Sequence, residues 1–354
     1  MERRTFLSGL LAAGAAQARM TGPIPMGLNT YCLRSLRWND AQHLDYCASQ
    51  KLDAIFLQDS IDPKKDDPAH WKWVRDRAKD LGLHLQTGGA GIMPRTPQDF
   101  DASIKNIRRH IERTAAMGSP LMRVVLASDR AGFPPGPVEQ HMETAVKMFR
   151  AVRTQAMDAN VKIAVEVHKD LLAWQHKTVI ETAGKEFVGT YLDTGNPVFT
   201  MEDPYEVVET LGPYALTLHL RDSVVYNHPD GIAVQWVPLG EGTVDFPKII
   251  ARAREICQPL HIFIKPITGR PPHIHRIYDD AYWSSWRDVK ARDFSRFLAL
   301  ARKGRPYEGN VVIEDLYQRP IPPQFLAAVQ YQQREHMERS IAYARKTLGL
   351  GVRN

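Results

Sequence analysis

The sequence is poor in the residues and segments that define several protein classes. It has 3 cysteines among 354 residues, Cys32, Cys47 and Cys257, and none form a CxxC pair. Three cysteines are too few for a disulfide framework, and their spacing excludes a cysteine zinc ribbon. After the first 18 residues, no apolar run approaches the roughly 20 residues of a membrane-spanning helix. We therefore expect a chain without stable membrane insertion that depends on an apolar core.

The charge is close to balanced, and the common nucleotide-binding motifs are absent. The chain has 46 basic and 40 acidic residues, for a formal net charge of +6, which is a small excess. We therefore expect no nucleic-acid partner. No GxGxxG or GxxxxGK[ST] motif follows the first predicted strand, so the usual argument for a doubly wound nucleotide-binding sheet is missing. With 44% hydrophobic and 24% charged residues, the composition is that of an ordinary globular protein.

The first 18 residues have the features of an export signal. The segment MERRTFLSGLLAAGAAQA has paired arginines at positions 3 and 4, then an apolar run, and it ends in the small-x-small triplet Ala16-Gln17-Ala18. This order is typical of a twin-arginine signal peptide, which is removed after export. We therefore expect residues 1–18 to be a signal peptide, and residues 19–354 to be an exported, periplasmic domain.

Short apolar runs alternate with amphipathic stretches along the rest of the chain. The runs with the length and composition of buried strands are residues 25–29, 54–58, 83–87, 121–126, 161–167, 188–193, 215–220 and 261–265. The stretches between them carry apolar residues at helical spacing, such as Trp71, Val74 and Ala78. Buried strands joined by helical crossovers predict a parallel sheet, and eight such units predict an α/β fold of the closed (β/α)8 type, the TIM barrel.

One segment interrupts this alternation. Residues from about 268 to 310 follow the eighth predicted strand and contain a predicted helix at Ala291–Lys303, so we interpret them as an insertion. The aromatic residues of its first part are expected either to pack on the barrel or to form a lid over it. A last helix, predicted over Pro323–Leu348, is expected to complete the outer ring of the barrel.

Polar side chains stand at the carboxyl ends of three consecutive predicted strands. Strand five delivers Glu166, strand six Asp193 and strand seven His219. Because active sites of such barrels lie at this end, we expect the three side chains to converge. Two carboxylates and an imidazole suit a divalent ion such as Mn, Co, Zn or Mg. Each residue also has a structural alternative: a salt bridge for Glu166, a turn cap for Asp193 and a core position for His219.

This set of motifs resembles the xylose isomerase-like TIM barrel family, which includes sugar phosphate isomerases and epimerases. The resemblance is carried by the E-x-H at Glu166 and His168, LDTGN at residues 192–196, H-x-x-D at His219 and Asp222, and PLGEGTVDF at residues 238–246. It extends from about residue 24 to the C-terminus. It implies a metal-dependent enzyme of carbohydrate metabolism whose ion is held by Glu, Asp, His and a second Glu from strand eight. Glu166, Asp193 and His219 would be the first three ligands.

The strand-eight position departs from the family pattern. The predicted strand ends in Lys265 where relatives carry a glutamate, and a protonated lysine does not bind a metal. Alternatively, Val311–Glu314 is the closing strand, which would supply Glu314 as the fourth metal ligand. We favour Lys265 as the strand-eight residue because the interval between the preceding helix and its strand is short and regular.

The resemblance implies proton transfer at the carbon next to a sugar carbonyl. In the family, the strand-five glutamate moves this proton while the metal stabilises the enediolate, so Glu166 would be both a ligand and a catalytic residue. Lys265 would be a second catalytic residue, either as a base or as a cation beside the enediolate.

The next residues along the same strand ends receive supporting roles. His168 is expected to bind substrate and to take part in catalysis, and Arg221 and Asn196 are expected to bind substrate. Asp222 is expected to orient the imidazole of His219, since ligating histidines usually need a second partner.

Several functions remain open at this point. The expected function is that of a divalent-metal-dependent isomerase or epimerase of a keto-sugar or sugar derivative. The missing second glutamate favours, as an alternative, a lyase or hydratase that performs β-elimination on keto-glycosides. A sugar-binding barrel without catalysis is a third possibility. A DNA-repair endonuclease needs more histidine ligands, and strands two and three end in Gln58 and Thr87 instead. Export favours a free sugar or glycoside as the small-molecule partner, and assembly into a homo-oligomer is left open.

Overall fold

Strands and helices alternate along the described part of the chain. The computed structural model describes residues 20–58, 62–258, 260–314 and 322–353, and the predicted signal peptide lies outside them. In chain order, the strands are β1 (Met26–Asn29), β2 (Ala54–Gln58), β3 (His84–Gly91), β4 (Leu121–Val125), β5 (Lys162–Glu166), β6 (Val188–Asp193), β7 (Ala215–Leu220), β8 (Asp222–His228), β9 (Gly231–Val237), β10 (Ile262–Ile264) and β11 (His273–His275). The α-helices are α1 (Asp40–Ser49), α2 (Pro68–Asp80), α3 (Phe100–Ala116), α4 (Val138–Asp158), α5 (Ala173–Ala183), α6 (Pro204–Leu211), α7 (Phe246–Ile256), α8 (Ala291–Lys303) and α9 (Pro323–Lys346).

Eight of the strands form a closed parallel barrel. Their order around it is β1-β10-β7-β6-β5-β4-β3-β2, which confirms the predicted TIM barrel. Glu166 on β5 pairs with Tyr191 on β6, and Asp193 on β6 pairs with His219 on β7. This register brings the carboxyl ends of β5, β6 and β7 to the same rim, where the polar residues of the three strands meet.

The closing strand is β10, which pairs with both β1 and β7. Phe263 lies beside Gly27 on one side and His219 on the other. The eighth strand is therefore the run predicted at residues 261–265, and Lys265 follows it directly. Residues 311–314 form no strand, so the alternative in which Val311–Glu314 closes the barrel is wrong.

The barrel interior below the rim is filled by aromatic side chains. Phe56, Tyr191 and Phe263 are fully buried and belong to one cluster inside the barrel. The ring of His219 lies on top of them, with its centroid 4.0 Å from that of Tyr191 and 5.6 Å from that of Phe56. Close packing of this kind restricts the imidazole to one orientation, so the fold itself positions this functional side chain.

Aspartate caps begin several of the surrounding helices. Asp67 before α2 accepts a hydrogen bond from the backbone of Ala69, and Asp203 before α6 accepts one from Tyr205, both at 2.8 Å. A proline follows each aspartate at the first helical position, where its missing N–H costs nothing. These Asp-Pro pairs end the strand-to-helix loops at defined points.

A small antiparallel sheet, which the sequence interpretation missed, covers part of the rim. β8 and β9 form a hairpin, and β11 pairs with β9 on its other side. The signal was present, because the Pro-Asp-Gly turn at residues 229–231 separates two apolar runs. The interpretation assigned one strand to each helix and so passed over it.

The last helices agree with the prediction. α8 has the predicted bounds, and α9 ends at Lys346, two residues before the predicted Leu348. Met337 and Ile341 of α9 are buried in the same core as the first barrel strand. Within the described residues, none of the helices combines the length and apolarity needed to cross a membrane.

Candidate functional site

Three buried side chains meet at the carboxyl ends of β5, β6 and β7. One ligand atom from each of Glu166, Asp193 and His219 lies within 4.8 Å of the other two, and all three residues are fully buried. The Nδ1 atom of His219 is 3.7 Å from both Glu166 Oε1 and Asp193 Oδ2. Within the described residues, His219 Nδ1 and Asp193 Oδ2 are buried without a hydrogen-bond partner. Orphaned polar atoms that face one another are expected where a further group binds.

The other polar atoms of Asp193 and His219 are used to hold these side chains. Asp193 Oδ1 accepts hydrogen bonds from the backbone N–H groups of Gly195 and Asn196, both at 2.9 Å. The side chain therefore caps a turn with one oxygen and presents the other to the site. His219 Nε2 lies 3.2 Å from the amide nitrogen of Asn29. Sequence reasoning missed Asn29, although it is the polar last residue of β1.

Glu166 is held by two cations. The guanidinium of Arg123 on β4 contacts Glu166 Oε2, and the ammonium of Lys265 contacts Oε1. Burial alone would raise the pKa of Glu166, but Arg123, Lys265 and His219 together hold it well below the usual value. Sequence reasoning also missed Arg123, whose signal is a charged residue within an otherwise apolar barrel strand. Glu166 therefore forms the salt bridges that its structural alternative predicted, and it also belongs to the cluster of possible metal ligands.

Lys265 lies between the two carboxylates. Besides its contact with Glu166, its Nζ atom is 3.5 Å from Asp193 Oδ2, and its side chain is only 2% exposed. Burial and the nearby charge of Arg221 lower the pKa of Lys265 to about 8. The ammonium therefore neutralises part of the negative charge that a metal ion at the cluster would meet.

Glu314 lies apart from this cluster. Its carboxylate pairs with Arg34 and accepts a hydrogen bond from Ser35 Oγ at 3.0 Å. It lines the cavity above the cluster, but its oxygens are not among the grouped ligand atoms of the described residues. The expectation that Glu314 is a metal ligand is therefore not met, since its salt bridge holds it at another part of the cavity wall.

Asp222 also has another role than the expected one. Its carboxylate accepts hydrogen bonds from the backbone N–H groups of Ser223, Gly240, Gly242 and Val244, at 2.8 to 3.3 Å. A Cβ atom on Gly242 would come within 2.1 Å of Asp222 Oδ1. Asp222 thus anchors the loop that contains PLGEGTVDF, and the partner of the imidazole of His219 is Asn29 instead.

Arg221 and Asn196 act as one unit beside the cluster. Arg221 donates to the side-chain oxygen of Asn196 at 2.7 Å, and its other terminal nitrogen is 3.4 Å from Asp193 Oδ2. Both residues are buried, and Asn196 also donates to the carbonyl oxygen of Val167 at 2.9 Å. The guanidinium lies over the ring of Trp236, 4.5 Å from its centroid. Arg221 lines the cavity, whereas Asn196 acts by positioning Arg221.

A cavity of about 1250 Å³ opens above the cluster. His168, Arg221 and Lys265 line its inner part, and Tyr282 and Trp286 of the segment after β10 line its outer part. Burial lowers the pKa of His168 well below its ordinary value, so the ring is neutral, and its Nδ1 has no hydrogen bond to the described residues. The volume is sufficient for a sugar or a larger derivative.

Comparison with known proteins agrees with this geometry. The chain is similar to a 3-oxo-isoapionate decarboxylase of Pectobacterium atrosepticum, at 22% identity over 222 residues, or 62% of this chain and 69% of that protein. Among solved structures, a D-psicose 3-epimerase from Clostridium cellulolyticum H10, determined with D-tagatose, has a TM-score of 0.58 at 13% identity, covering 79% of this chain and 99% of the epimerase. The IOLI protein with a bound zinc atom has a TM-score of 0.55 at 14% identity, covering 80% of this chain and 99% of its own.

These neighbours include epimerases and a decarboxylase, which is consistent with an enzyme of the isomerase and epimerase type. At such low identity the solved structures establish the fold alone. The family model described as xylose isomerase-like TIM barrel matches residues 44–258, which is more than half of the chain. The chain therefore belongs to the xylose isomerase-like TIM barrel family.

Proposed function

We propose that the protein is an enzyme that removes a proton from the carbon next to the carbonyl of a sugar or sugar derivative, with a divalent metal ion held by Glu166, Asp193 and His219. The observation that carries the proposal is the meeting of these three buried ligand groups directly behind the lining of a sugar-sized cavity, with two of the ligand atoms lacking hydrogen bonds within the described residues.

The donor set fits a divalent metal ion. Two carboxylate oxygens and an imidazole nitrogen form a mixed set that Mn, Co or Zn accepts, and Mg accepts its oxygens. The Nζ atom of Lys265 lies among the same oxygens, so an ion must compete with this ammonium. When bound, the ion would polarise the carbonyl oxygen of the substrate and stabilise the negative charge that develops there.

The residues around this position support proton transfer. The candidate proton acceptors are the carboxylate of Glu166, which contacts the cavity-lining Lys265, and the neutral ring of His168, which lines the cavity itself. Lys265 places a positive charge beside the same position, where it would stabilise a developing oxyanion. Arg123 and Arg221, which line the cavity, form ion pairs with Glu166 and Asp193 and hold them in place.

One observation favours β-elimination as a second candidate reaction. Lys265, and not a second glutamate, follows the eighth barrel strand, so the site combines the carboxylate of Glu166 with an ammonium in direct contact with it. Epimerisation needs proton transfer on both faces of one carbon, whereas elimination needs a base for one proton and an acid for the leaving group. A lysine ammonium is suited to the second task.

The test is proton exchange between substrate and solvent. Purified protein supplied with Mn²⁺ would be incubated in D2O with D-fructose, D-psicose, D-tagatose and a keto-glycoside, and followed by NMR. We expect deuterium at the carbon next to the carbonyl of at least one compound. A second product isomer would indicate epimerisation, and a released aglycone would indicate elimination.

Matched variants connect the exchange to the site. Glu166→Gln is expected to abolish the exchange, while Glu143→Gln, an exposed residue of α4, leaves it unchanged. Exchange that is absent with every compound, or that survives Glu166→Gln at the full rate, would contradict the proposed function.

A further inference from the structure

The side chains that line the cavity carry an excess of positive charge. The basic ones are Arg34, Arg123, Arg130, Lys169, Arg221, Lys265 and Arg270, and the acidic ones are Asp40, Asp129 and Glu314. Even with the buried carboxylates of Glu166 and Asp193 at the cavity base, basic groups outnumber acidic ones. An uncharged sugar would leave this excess uncompensated, and unbalanced charge of one sign at a cleft attracts ligands of the other sign.

Lys169 and Arg221 converge on one aromatic residue. The Nζ atom of Lys169 lies 5.7 Å from the centre of the Trp236 ring, and the guanidinium carbon of Arg221 lies 4.5 Å from it. Trp236 belongs to β9 of the hairpin that covers the rim. Two like charges are thus held at the same indole, and an anion that lies close to both would be attracted by both.

Lys169 is the more exposed of the two cations, both of which line the cavity. Its side chain is 24% exposed, and the nearest carboxylate oxygen, on Asp129, is 3.9 Å away, at the outer limit of an ion pair. Burial lowers the pKa of Lys169, and the charges of Arg221 and Arg270 lower it further, against the opposing effect of Asp129. An anion bound beside Lys169 would offset these effects by stabilising the charged form of the side chain.

A third cation of the cavity lining, Arg130, is joined to Lys169 through the backbone. The backbone N–H of Arg130 donates to the carbonyl oxygen of Lys169 at 2.8 Å, and its guanidinium lies 4.7 Å from the centre of the Trp286 ring. The guanidinium also donates to the side-chain oxygen of the neutral Gln175, at 3.2 Å. Arg130 thus adds to the positive potential at the outer part of the cavity.

We propose that the substrate is an anionic sugar derivative whose carboxylate or phosphate binds between Lys169 and Arg221 beside Trp236. This inference rests on the proposed function and narrows it, because the sequence alone favoured an uncharged sugar or glycoside. The anionic group lies close to the reacting carbon, since Arg221 also reaches Asp193 and Lys169 follows Glu166 by three residues. Arg221 therefore couples recognition of the anion to the ligand cluster.

The test compares D-glucose with two derivatives that carry an anionic group at C6. D-glucose, D-glucuronate and D-glucose 6-phosphate would be titrated into the purified full chain by calorimetry at low and high salt. We expect at least one anion to bind about tenfold more tightly than D-glucose, with the preference shrinking at high salt. A gain with D-glucuronate alone assigns the group to a carboxylate, and a gain with the 6-phosphate alone assigns it to a phosphate.

Variants locate the binding position. Lys169→Met is expected to remove most of the preference for the anion. The control is Lys177→Met, which replaces a lysine of α5 that lies over the ring of Tyr214 and should leave the preference unchanged. Equal binding of all three sugars, or a preference that Lys169→Met does not reduce, overturns the inference.

The two proposals fail separately. Proton exchange in uncharged sugars, at rates equal to those of anionic ones, would contradict the anion site and support the proposed reaction. Tight binding of anions that depends on Lys169, without proton exchange in any compound, would contradict the proposed reaction and support the anion site.

Discussion

Replacing Lys265 is expected to raise the affinity of the site for divalent metal. The Nζ atom of Lys265 contacts Glu166 and lies 3.5 Å from Asp193 Oδ2, so it neutralises both carboxylates that would bind the ion. Coulomb's law at an effective dielectric constant of about 20 gives roughly 5 kcal/mol for two unit charges at this separation. A quarter of that energy, about 1.2 kcal/mol, already corresponds to nearly tenfold in affinity.

We therefore expect Lys265→Met to bind Mn²⁺ about 10- to 100-fold more tightly than the wild type. Lys265→Glu should bind at least as tightly, because it adds a carboxylate ligand at the strand-eight position. The measurement is calorimetric titration of chelator-treated protein with Mn²⁺. Lys162→Met, at the opposite end of β5, is the matched control and should behave as the wild type.

Thermal unfolding gives a second reading of the same effect. Without metal, Lys265→Met should unfold at a lower temperature than the wild type, because Glu166 and Asp193 lose a compensating charge. Added Mn²⁺ should raise its melting temperature by more than it raises that of the wild type. Equal or weaker Mn²⁺ binding by Lys265→Met would refute the view that the ammonium competes with the ion.

Three further predictions follow from other parts of the chain. Asp222→Asn should lower the free energy of unfolding, measured with denaturant, by about 1–3 kcal/mol, because it replaces a carboxylate oxygen that accepts hydrogen bonds from backbone N–H groups. The affinity for Mn²⁺ should be retained. The exposed Asp230→Asn is its control, and lost Mn²⁺ affinity in Asp222→Asn would instead support the orienting role. Burial raises the pKa of Glu202 from 4.5 to about 7, so its contribution to stability is fully present below pH 4.5 and is lost as the pH rises through 7. Glu202→Gln should remove on the order of 3 kcal/mol of this decline, and an unchanged pH profile would contradict the raised pKa. Replacing Arg3 and Arg4 by lysine should retain the full-length chain in the cytoplasm, measured by cell fractionation, and unchanged export would argue against a twin-arginine signal.

The barrel was predictable because its strands are short and apolar at nearly every position. The runs at residues 54–58, 188–193 and 215–220 have the bounds of β2, β6 and β7. The β8–β9 hairpin has equally clear strand and turn signals, but it lies outside the one-strand-one-helix alternation. The fold was thus found where the pattern repeats and missed where it is interrupted.

The candidate site was predictable only where its residues end consecutive strands. Glu166, Asp193 and His219 share a rim because parallel strands in register end at the same level. Arg123 and Asn29 reach the same point from β4 and β1, and no local spacing relates them to the other three residues.

The contacts of two residues differ from those that the sequence led us to expect. Asp222 lies three residues after His219, but the chain turns into β8 there, and its carboxylate faces a loop some 20 residues further along. Glu314 ends an apolar run, yet that run forms no strand and its carboxylate meets Arg34. The first case depends on the backbone direction after β7, and the second on whether an apolar run pairs with the barrel, and neighbouring residues encode neither.

The most direct test of the central claim is the metal content of the protein. Purified chain dialysed against millimolar Mn²⁺ and passed through a desalting column would be measured by elemental analysis, beside Glu166→Gln, His219→Ala and the exposed control Glu143→Gln. We expect about one ion per chain in the wild type and the control, and a loss in the two site variants. A wild type that retains no metal, or variants that retain as much as the wild type, would contradict a metal site formed by Glu166, Asp193 and His219.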